Sequence, residues 1–229
     1  MEDGTFGKGV ILLLPSTTGF PGPGKKSVTF SPNGPGQEIF GDYTVVMIAA
    51  EGRQSWQGTA ASPWRAQAPP YVFETTGWLV QLTRKEGVPL ICGAQSRGAM
   101  WGSYLAHKHP EWFQGFVLAG VYPLWKDVGA QAKCARQLAQ TRCPVSILHS
   151  LKDEHCNPVT HSCYWEQILL AQDGLNYGDR SPTVKVWTTA DTHERLESIL
   201  LGDAESQVFK AVWTHALQIT GRRAQFYSC

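Results

Sequence analysis

Short apolar runs alternate with segments of helical composition along most of this 229-residue chain, which limits the folds open to it. Because strands covered on both faces are apolar throughout, such runs indicate a parallel sheet. We place strands at residues 10–14, 44–49, 90–94, 115–119, 145–149 and 184–187, and helices at 71–86, 97–107, 126–139, 158–172 and 204–219. The pattern predicts an α/β fold with a mainly parallel sheet and right-handed crossovers.

Two segments interrupt this alternation. Residues 18–42 are rich in glycine and proline and have no helical period. They fit either a short hairpin, with 28–30 turning at Asn33-Gly34 towards 38–40, or a loop across one face of the sheet. Residues 51–70 have little regular pattern. Long irregular segments in a compact domain are typical of functional rims. The length predicts one domain over residues 1–229, because it is marginal for two cores.

The charges exclude some classes of partner. Lysine and arginine number 20 against 19 aspartate and glutamate, without a long block of either sign, so we expect no nucleic-acid partner. The apolar run at 10–14 is too short for a signal peptide or a membrane span, and we expect a cytoplasmic protein. Six cysteines show no metal-type spacing, so reduced thiols and no bound metal are expected.

A serine stands where one predicted strand meets the next predicted helix. Residues 89–100 read Pro-Leu-Ile-Cys-Gly-Ala-Gln-Ser-Arg-Gly-Ala-Met. A nucleophile at a sharp strand-to-helix turn needs small residues two positions before and after it, because the turn brings their backbones together. Ala94 and Gly98 fill these positions around Ser96, although glycine is usual at both. The flanking pattern favours a nucleophile, and a serine that only caps the helix is the alternative.

Ser96 needs a base and an acid to orient that base, because a serine hydroxyl is a weak nucleophile at neutral pH. In open α/β sheets the reacting groups collect at the carboxyl ends of the strands. Asp153 follows the predicted strand at 145–149, and His193 follows the predicted strand at 184–187. The order Ser96, Asp153, His193 is one of the known chain orders of a catalytic triad.

Other residues remain open as the base or the acid. His193 also fits an ordinary polar loop, and His155 lies too near Asp153 in sequence to be the preferred base. The remaining histidines fit strand ends, helix ends or helix surfaces, namely His107, His109, His149, His161 and His215. The alternative acids are Asp127, Glu154 and Asp191.

The oxyanion of an acyl-transfer intermediate is stabilised by two backbone N–H groups. One is expected at Arg97, directly after the nucleophile, and the other in the loop after the first strand. Pro15 has no N–H, so Ser16 or Thr17 is the expected donor, although an ordinary polar turn fits this loop equally well. The expected substrate-binding residues are Thr18, Phe20, Gln95, Trp56, Trp64, Tyr122 and Trp125.

These motifs resemble those of the α/β-hydrolase superfamily. Residues 96–100 (Ser-Arg-Gly-Ala-Met) resemble the Ser-x-Gly-Ala-Met of several esterases, and 149–153 (His-Ser-Leu-Lys-Asp) are similar to their His-Gly-x-x-Asp segment. Residues 192–194 resemble the loop that carries their histidine. The chain is most similar, over residues 8–219, to small cap-less carboxylesterases, acyl-thioesterases and dienelactone-hydrolase-like proteins. The resemblance implies a three-layer sandwich with a sheet of about six strands, without the two leading strands of larger members.

The resemblance implies hydrolysis of a carboxylic ester or thioester bond in a small substrate, through an acyl-enzyme on Ser96 and without a cofactor. The chain departs from the family at 15–16, where Pro-Ser replaces His-Gly, and the following helix is replaced by the glycine- and proline-rich segment. Two alternatives stay open: a non-catalytic receptor or interaction module with this fold, and an acyltransferase that uses the same triad. The substrate's identity and the oligomeric state are not predicted.

Overall fold

The strands in the described part of the chain form one parallel sheet. The computed structural model describes residues 6–14, 35–48, 70–121, 143–154, 184–193, 195–202 and 207–218. Within them the strands are β1 (Val10–Leu14), β2 (Thr44–Met47), β3 (Leu90–Gln95), β4 (Gly115–Ala119), β5 (Val145–Ser150) and β6 (Val184–Thr189). Their order across the sheet is β2-β1-β3-β4-β5-β6, and every neighbouring pair is parallel. The predicted parallel sheet of six strands is confirmed.

Helices precede or follow these strands. They are α1 (Pro35–Phe40), α2 (Pro70–Glu86), α3 (Arg97–Lys108), α4 (Arg195–Leu201) and α5 (Gln207–Ala216), with a 3₁₀ turn at Pro110–Trp112. The helices expected at 71–86 and 97–107 are therefore present, while the one expected at 204–219 ends at Ala216. The predictions at 126–139 and 158–172 lie outside the described residues.

The hairpin considered for residues 28–40 is wrong, because residues 38–40 belong to α1. Pro35 suits the first turn of a helix, where its missing N–H leaves no hydrogen bond unmade. Phe40 then places its ring edge-on against two aromatic rings of α5, at centroid distances of 5.7 Å from Phe209 and 4.8 Å from Trp213. Packing against α5 therefore stabilises this short helix.

Helices cover both faces of the sheet, as a three-layer sandwich requires. Because side chains alternate along a strand, Cys92 and Ala94 face α2 and α3, whereas Ile91 faces α4 and α5. Gly93 lets Trp213 approach the sheet, since a β-carbon on it would lie 2.7 Å from the Trp213 ring. The carboxyl ends of β3, β4, β5 and β6 meet at one edge, where the predicted triad residues lie.

Candidate active site

Ser96 occupies a strained turn between β3 and α3. Its φ of 55° and ψ of −115° make it the one non-glycine residue of the described ranges with a positive φ. Such backbone costs about 1–3 kcal/mol and persists only where its surroundings hold it. Two hydrogen bonds do so: Ser96 N–H donates to the Ala119 carbonyl at 2.8 Å, and the Ser96 carbonyl accepts from Met100 N–H at 3.1 Å.

The Ser96 hydroxyl makes no capping hydrogen bond to α3. The alternative interpretation of Ser96, a serine that only caps the helix, therefore loses its main support. Ala94 and Gly98 are both buried beside the turn, in keeping with the small residues that such a turn needs. Arg97 begins α3, ahead of the first helical hydrogen bond, so its N–H lies at the helix N-terminus beside Ser96.

Asp153 and His193 contact each other at the same edge of the sheet. Nδ1–H of His193 donates to Oδ2 of Asp153, and these two atoms are 2.5 Å apart. The Asp153 side chain is fully buried and that of His193 is 12% exposed. A carboxylate that accepts from Nδ1 leaves Nε2 as the proton acceptor of a neutral imidazole, the tautomer that a general base requires.

Hydrogen bonds join the loop that carries Asp153 to the loop that carries His193. Ser150 Oγ donates to the Asp191 carbonyl, and Leu151 N–H donates to the Thr189 carbonyl at 2.8 Å. The Thr189 hydroxyl also donates to the Asp191 carboxylate. The acid and histidine loops are thus tied to each other independently of the Asp153–His193 contact.

Two contacts connect His193 to the strands around Ser96. Gln95, at the end of β3, donates from Nε2 to the His193 carbonyl at 3.0 Å. Gly120, directly after β4, lies beneath the imidazole: a β-carbon on it would be 3.0 Å from Cε1 of His193. The N–H of Ser96 donates to the carbonyl of Ala119, the residue before Gly120. Ser96 and His193 therefore both contact the dipeptide Ala119-Gly120.

Glu197 is a second carboxylate beside His193, which sequence reasoning missed. It lies in the first turn of α4, and its Oε1 is buried without a hydrogen-bond partner among the described residues. Burial raises the pKa of Glu197, while the nearby His193 acts in the opposite direction. Glu197 follows His193 by four positions in the sequence. This spacing is the signal that could have identified Glu197 as a neighbour of His193.

The alternative bases and acids lie in other surroundings. His149 is buried within β5, His215 has Nδ1 2.9 Å from Ser146 Oγ, and His109 has Nδ1 3.3 Å from Glu111 Oε1. Glu154 is exposed, and the Asp191 carboxylate accepts from Thr189. His107 lies in the last turn of α3. His155, His161 and Asp127 lie outside the described residues.

Most of the predicted pocket lies outside the described residues: Ser16, Thr17, Thr18, Phe20, Trp56, Trp64, Tyr122 and Trp125. Gln95 is the exception. Its side chain is 2% exposed and directed to the main chain of His193, which favours a role in holding that loop over the expected substrate contact.

The described residues hold no group of three histidine, cysteine, aspartate or glutamate side chains that could bind a metal ion. Within the same ranges, no helix has both the length and the apolar character that crossing a membrane requires. An open surface depression of about 420 Å³ is lined by Gly7, Lys8, Gly41, Asp42 and Tyr43. It lies at the amino ends of β1 and β2, the opposite edge of the sheet from Ser96.

The chain matches no protein-family model and no curated protein. Solved structures do resemble it. A cold-adapted esterase from an Arctic intertidal metagenomic library is 14% identical with a TM-score of 0.56, over 93% of this chain and 85% of the esterase. Est1E from Butyrivibrio proteoclasticus, solved with ferulic acid bound, is 12% identical with a TM-score of 0.55, over 93% and 90% of the two chains.

An α/β-hydrolase enzyme from the metagenome of lagoon sediments at Mar Chica, Morocco, is 13% identical with a TM-score of 0.51, over 95% of this chain and 97% of the enzyme. Likenesses at such identities bear on the fold. Together with the parallel sheet and the strand-to-helix turn at Ser96, they define the fold of the chain. The chain has the α/β-hydrolase fold, as its motifs led us to expect.

Proposed function

We propose that this protein is a serine hydrolase that cleaves a carboxylic ester or thioester bond of a small substrate through an acyl-enzyme on Ser96. The observation that carries the proposal is the Asp153–His193 hydrogen bond beside a strained serine whose hydroxyl does not cap its helix. The strained backbone at Ser96 costs conformational free energy that the start of an ordinary helix does not. Such strain is typical of functional sites. Several structures that resemble the chain are esterases or lipolytic enzymes by name, which adds support.

Each group has one task in this reaction. Ser96 Oγ attacks the acyl carbon while Nε2 of His193 takes its proton, and Asp153 stabilises the imidazolium that forms. His193 then gives the proton to the leaving alcohol or thiol, and the acyl group stays on Ser96. Water attacks this acyl-enzyme, again with His193 as the base, and the acid product leaves with the Ser96 hydroxyl restored.

The negative oxygen of both tetrahedral intermediates requires N–H donors. We assign one donor to Arg97, at the N-terminus of α3, where the helix dipole also favours negative charge. The second belongs to Ser16 or Thr17 in the loop after β1. The pocket assignments to Thr18, Phe20, Trp56, Trp64, Tyr122 and Trp125 remain part of the proposal.

A fluorophosphonate probe tests the proposal, because it reacts with serines that a neighbouring base activates. The purified protein should be labelled stoichiometrically on Ser96, as mapped by mass spectrometry, and should hydrolyse p-nitrophenyl acetate. Ser96→Ala and His193→Ala should lose at least about 10³-fold in turnover. Ser103→Ala is the matched control, since the Ser103 hydroxyl donates to the Ala99 carbonyl of its own helix.

The alternatives give different outcomes in the same experiment. A folded protein that the probe does not label contradicts the hydrolase and favours an interaction module with this fold. Labelling together with transfer of the acyl group to an added alcohol or amine, at the expense of hydrolysis, favours an acyltransferase. Labelling that survives in Ser96→Ala contradicts the assignment of the nucleophile.

A further inference from the structure

Gln95 is a polar residue at a position where the fold calls for an apolar one. It ends β3 on the sheet face that Ile91 shares with α4 and α5, because alternate side chains of a strand point the same way. Its amide is 2% exposed. Burying an amide costs about 1–3 kcal/mol unless hydrogen bonds compensate, so a buried glutamine in a core strand calls for a reason.

The reason lies in a long-range hydrogen bond. Nε2 of Gln95 donates to the main-chain carbonyl of His193 at 3.0 Å, across 98 positions of sequence. A carbonyl only accepts, so the NH₂ end of the amide must face it. Among the described residues, no group forms a hydrogen bond with Oε1 of Gln95. The bond to His193 is thus the interaction that the described structure gives this buried amide.

The neighbouring contacts define what this bond does. The acid and histidine loops are tied to each other through Ser150, Leu151, Thr189 and Asp191. The Asp153 bond orients the imidazole relative to the acid loop, but it does not itself reach β3, the strand that precedes Ser96. Gln95 connects β3, the strand that carries Ser96, directly to the histidine loop.

Resting on the proposed function, we propose that Gln95 is a positioning residue whose amide holds the main chain of His193 at working distance from Ser96. Gln95 acts through His193 and does not touch the substrate. A displacement of about 1 Å between a nucleophile and its base costs on the order of 10²-fold in rate. Loss of this single hydrogen bond should therefore slow the acylation of Ser96 markedly. Its effect on the stability of the fold should be small by comparison.

Two substitutions remove the donor in different ways. Gln95→Met keeps the length of the side chain without any polar group, and Gln95→Glu keeps its shape and, in its ionised form, has no hydrogen to donate. Ser146→Ala is the matched control, because Ser146 is buried and its hydroxyl donates to the Val212 carbonyl, away from the site. The readouts are the second-order rate of fluorophosphonate labelling, kcat and KM for p-nitrophenyl acetate, and Tm.

We expect both Gln95 variants to label at least about 10-fold more slowly than the wild type at a temperature where all are folded. The loss should fall on kcat, with KM little changed. Ser146→Ala should lower Tm and label within about twofold of the wild-type rate. If Gln95→Met does not fold, the isosteric Gln95→Glu carries the measurement.

Three outcomes overturn the inference. If folded Gln95 variants label at the wild-type rate, the positioning role of Gln95 is wrong. The proposal that the protein is a hydrolase is not affected by this outcome. A rise in KM with kcat unchanged indicates the substrate contact that the sequence predicted, and also contradicts a positioning role. A wild-type protein that the probe does not label overturns the proposed function, and the role of Gln95 with it.

Discussion

The imidazole of His193 lies directly against the α-carbon of Gly120. A β-carbon on Gly120 would be 3.0 Å from Cε1 of His193 and 3.2 Å from its Nδ1, closer than ordinary van der Waals contact. The φ of Gly120 is +56°, a backbone conformation that favours glycine. Gly120 thus leaves the space in which the imidazole lies, and its N–H donates to the Leu148 carbonyl to hold this turn against β5.

Gly120→Ala should therefore displace the imidazole and slow labelling of Ser96 by about 10-fold or more. Gly87→Ala is the control for backbone strain, because Gly87 has a φ of +69° and its β-carbon would meet nothing within 4 Å. Both substitutions should lower Tm by a few degrees, since alanine at such a φ costs about 1–2 kcal/mol. Equal labelling rates in the two variants would show that the imidazole tolerates the methyl group.

The strands were predictable because their sequence signal is strong. Covered strands such as β1 and β4 are continuous apolar runs, and both occupy the predicted residues. The strands β3, β5 and β6 extend one or two residues beyond their predicted ends. Those extra residues include Gln95 and Ser150. Both are polar and follow the apolar run in the sequence, yet their backbones still belong to the strand.

The short helices were not predictable in the same way. The helices α1 and α4 have 6 and 7 residues, so each spans less than two turns. A segment this short is too short to show a helical period in its sequence. Tertiary packing stabilises them instead. Phe40 of α1 lies against α5, and α4 buries Leu196 and Ile199 under the sheet. Contacts between segments far apart in sequence, which local patterns do not encode, decide these helices.

The candidate site likewise has features that the sequence predicted and features that it did not. Ser96, Asp153 and His193 were proposed because each follows a strand, and parallel strands bring their carboxyl ends together. The contact of Gly120 with His193 had no local signal. The hydrogen bond from Gln95 to His193 was missed for the same reason, since it crosses 98 positions of sequence.

The assignment of the acid is tested by two neighbouring carboxylates. Asp153→Asn should lower kcat by about 10²–10⁴-fold, because an amide no longer holds the imidazole in the right tautomer or stabilises its charge. Glu154→Gln, which alters an exposed side chain one residue later, should retain activity within about twofold. The readout is p-nitrophenyl acetate hydrolysis at pH 7–8. The reverse ranking of the two variants would make Glu154 the acid.

Cys92 should be unreactive in the folded protein. Its side chain is fully buried in β3, and burial raises the pKa of the thiol, so the reactive thiolate is scarce. Iodoacetamide at pH 8 should modify Cys92 in guanidinium chloride but not in native buffer, as peptide mapping will show. Rapid modification under native conditions would mean that β3 opens on the timescale of labelling.

Glu197 should make stability depend on pH. Burial raises its pKa above the ordinary value of 4.5, so the folded state binds the proton more tightly than the unfolded state does. The linkage relation then gives a contribution that is fully present below about pH 4.5 and is lost as pH rises through the folded-state pKa. Above the folded-state pKa the ionised carboxylate therefore destabilises the fold, with one buried oxygen that no described group binds.

Glu197→Gln removes this titration and should raise Tm relative to the wild type above the folded-state pKa, with the difference shrinking towards pH 4. For a chain of this length, each 1 kcal/mol corresponds to about 2–4 °C. Glu74→Gln is the control for the loss of an exposed carboxylate, because Glu74 is exposed on α2. A Glu197→Gln variant that is less stable than the wild type at pH 7–8 would show that ionised Glu197 contributes a favourable interaction.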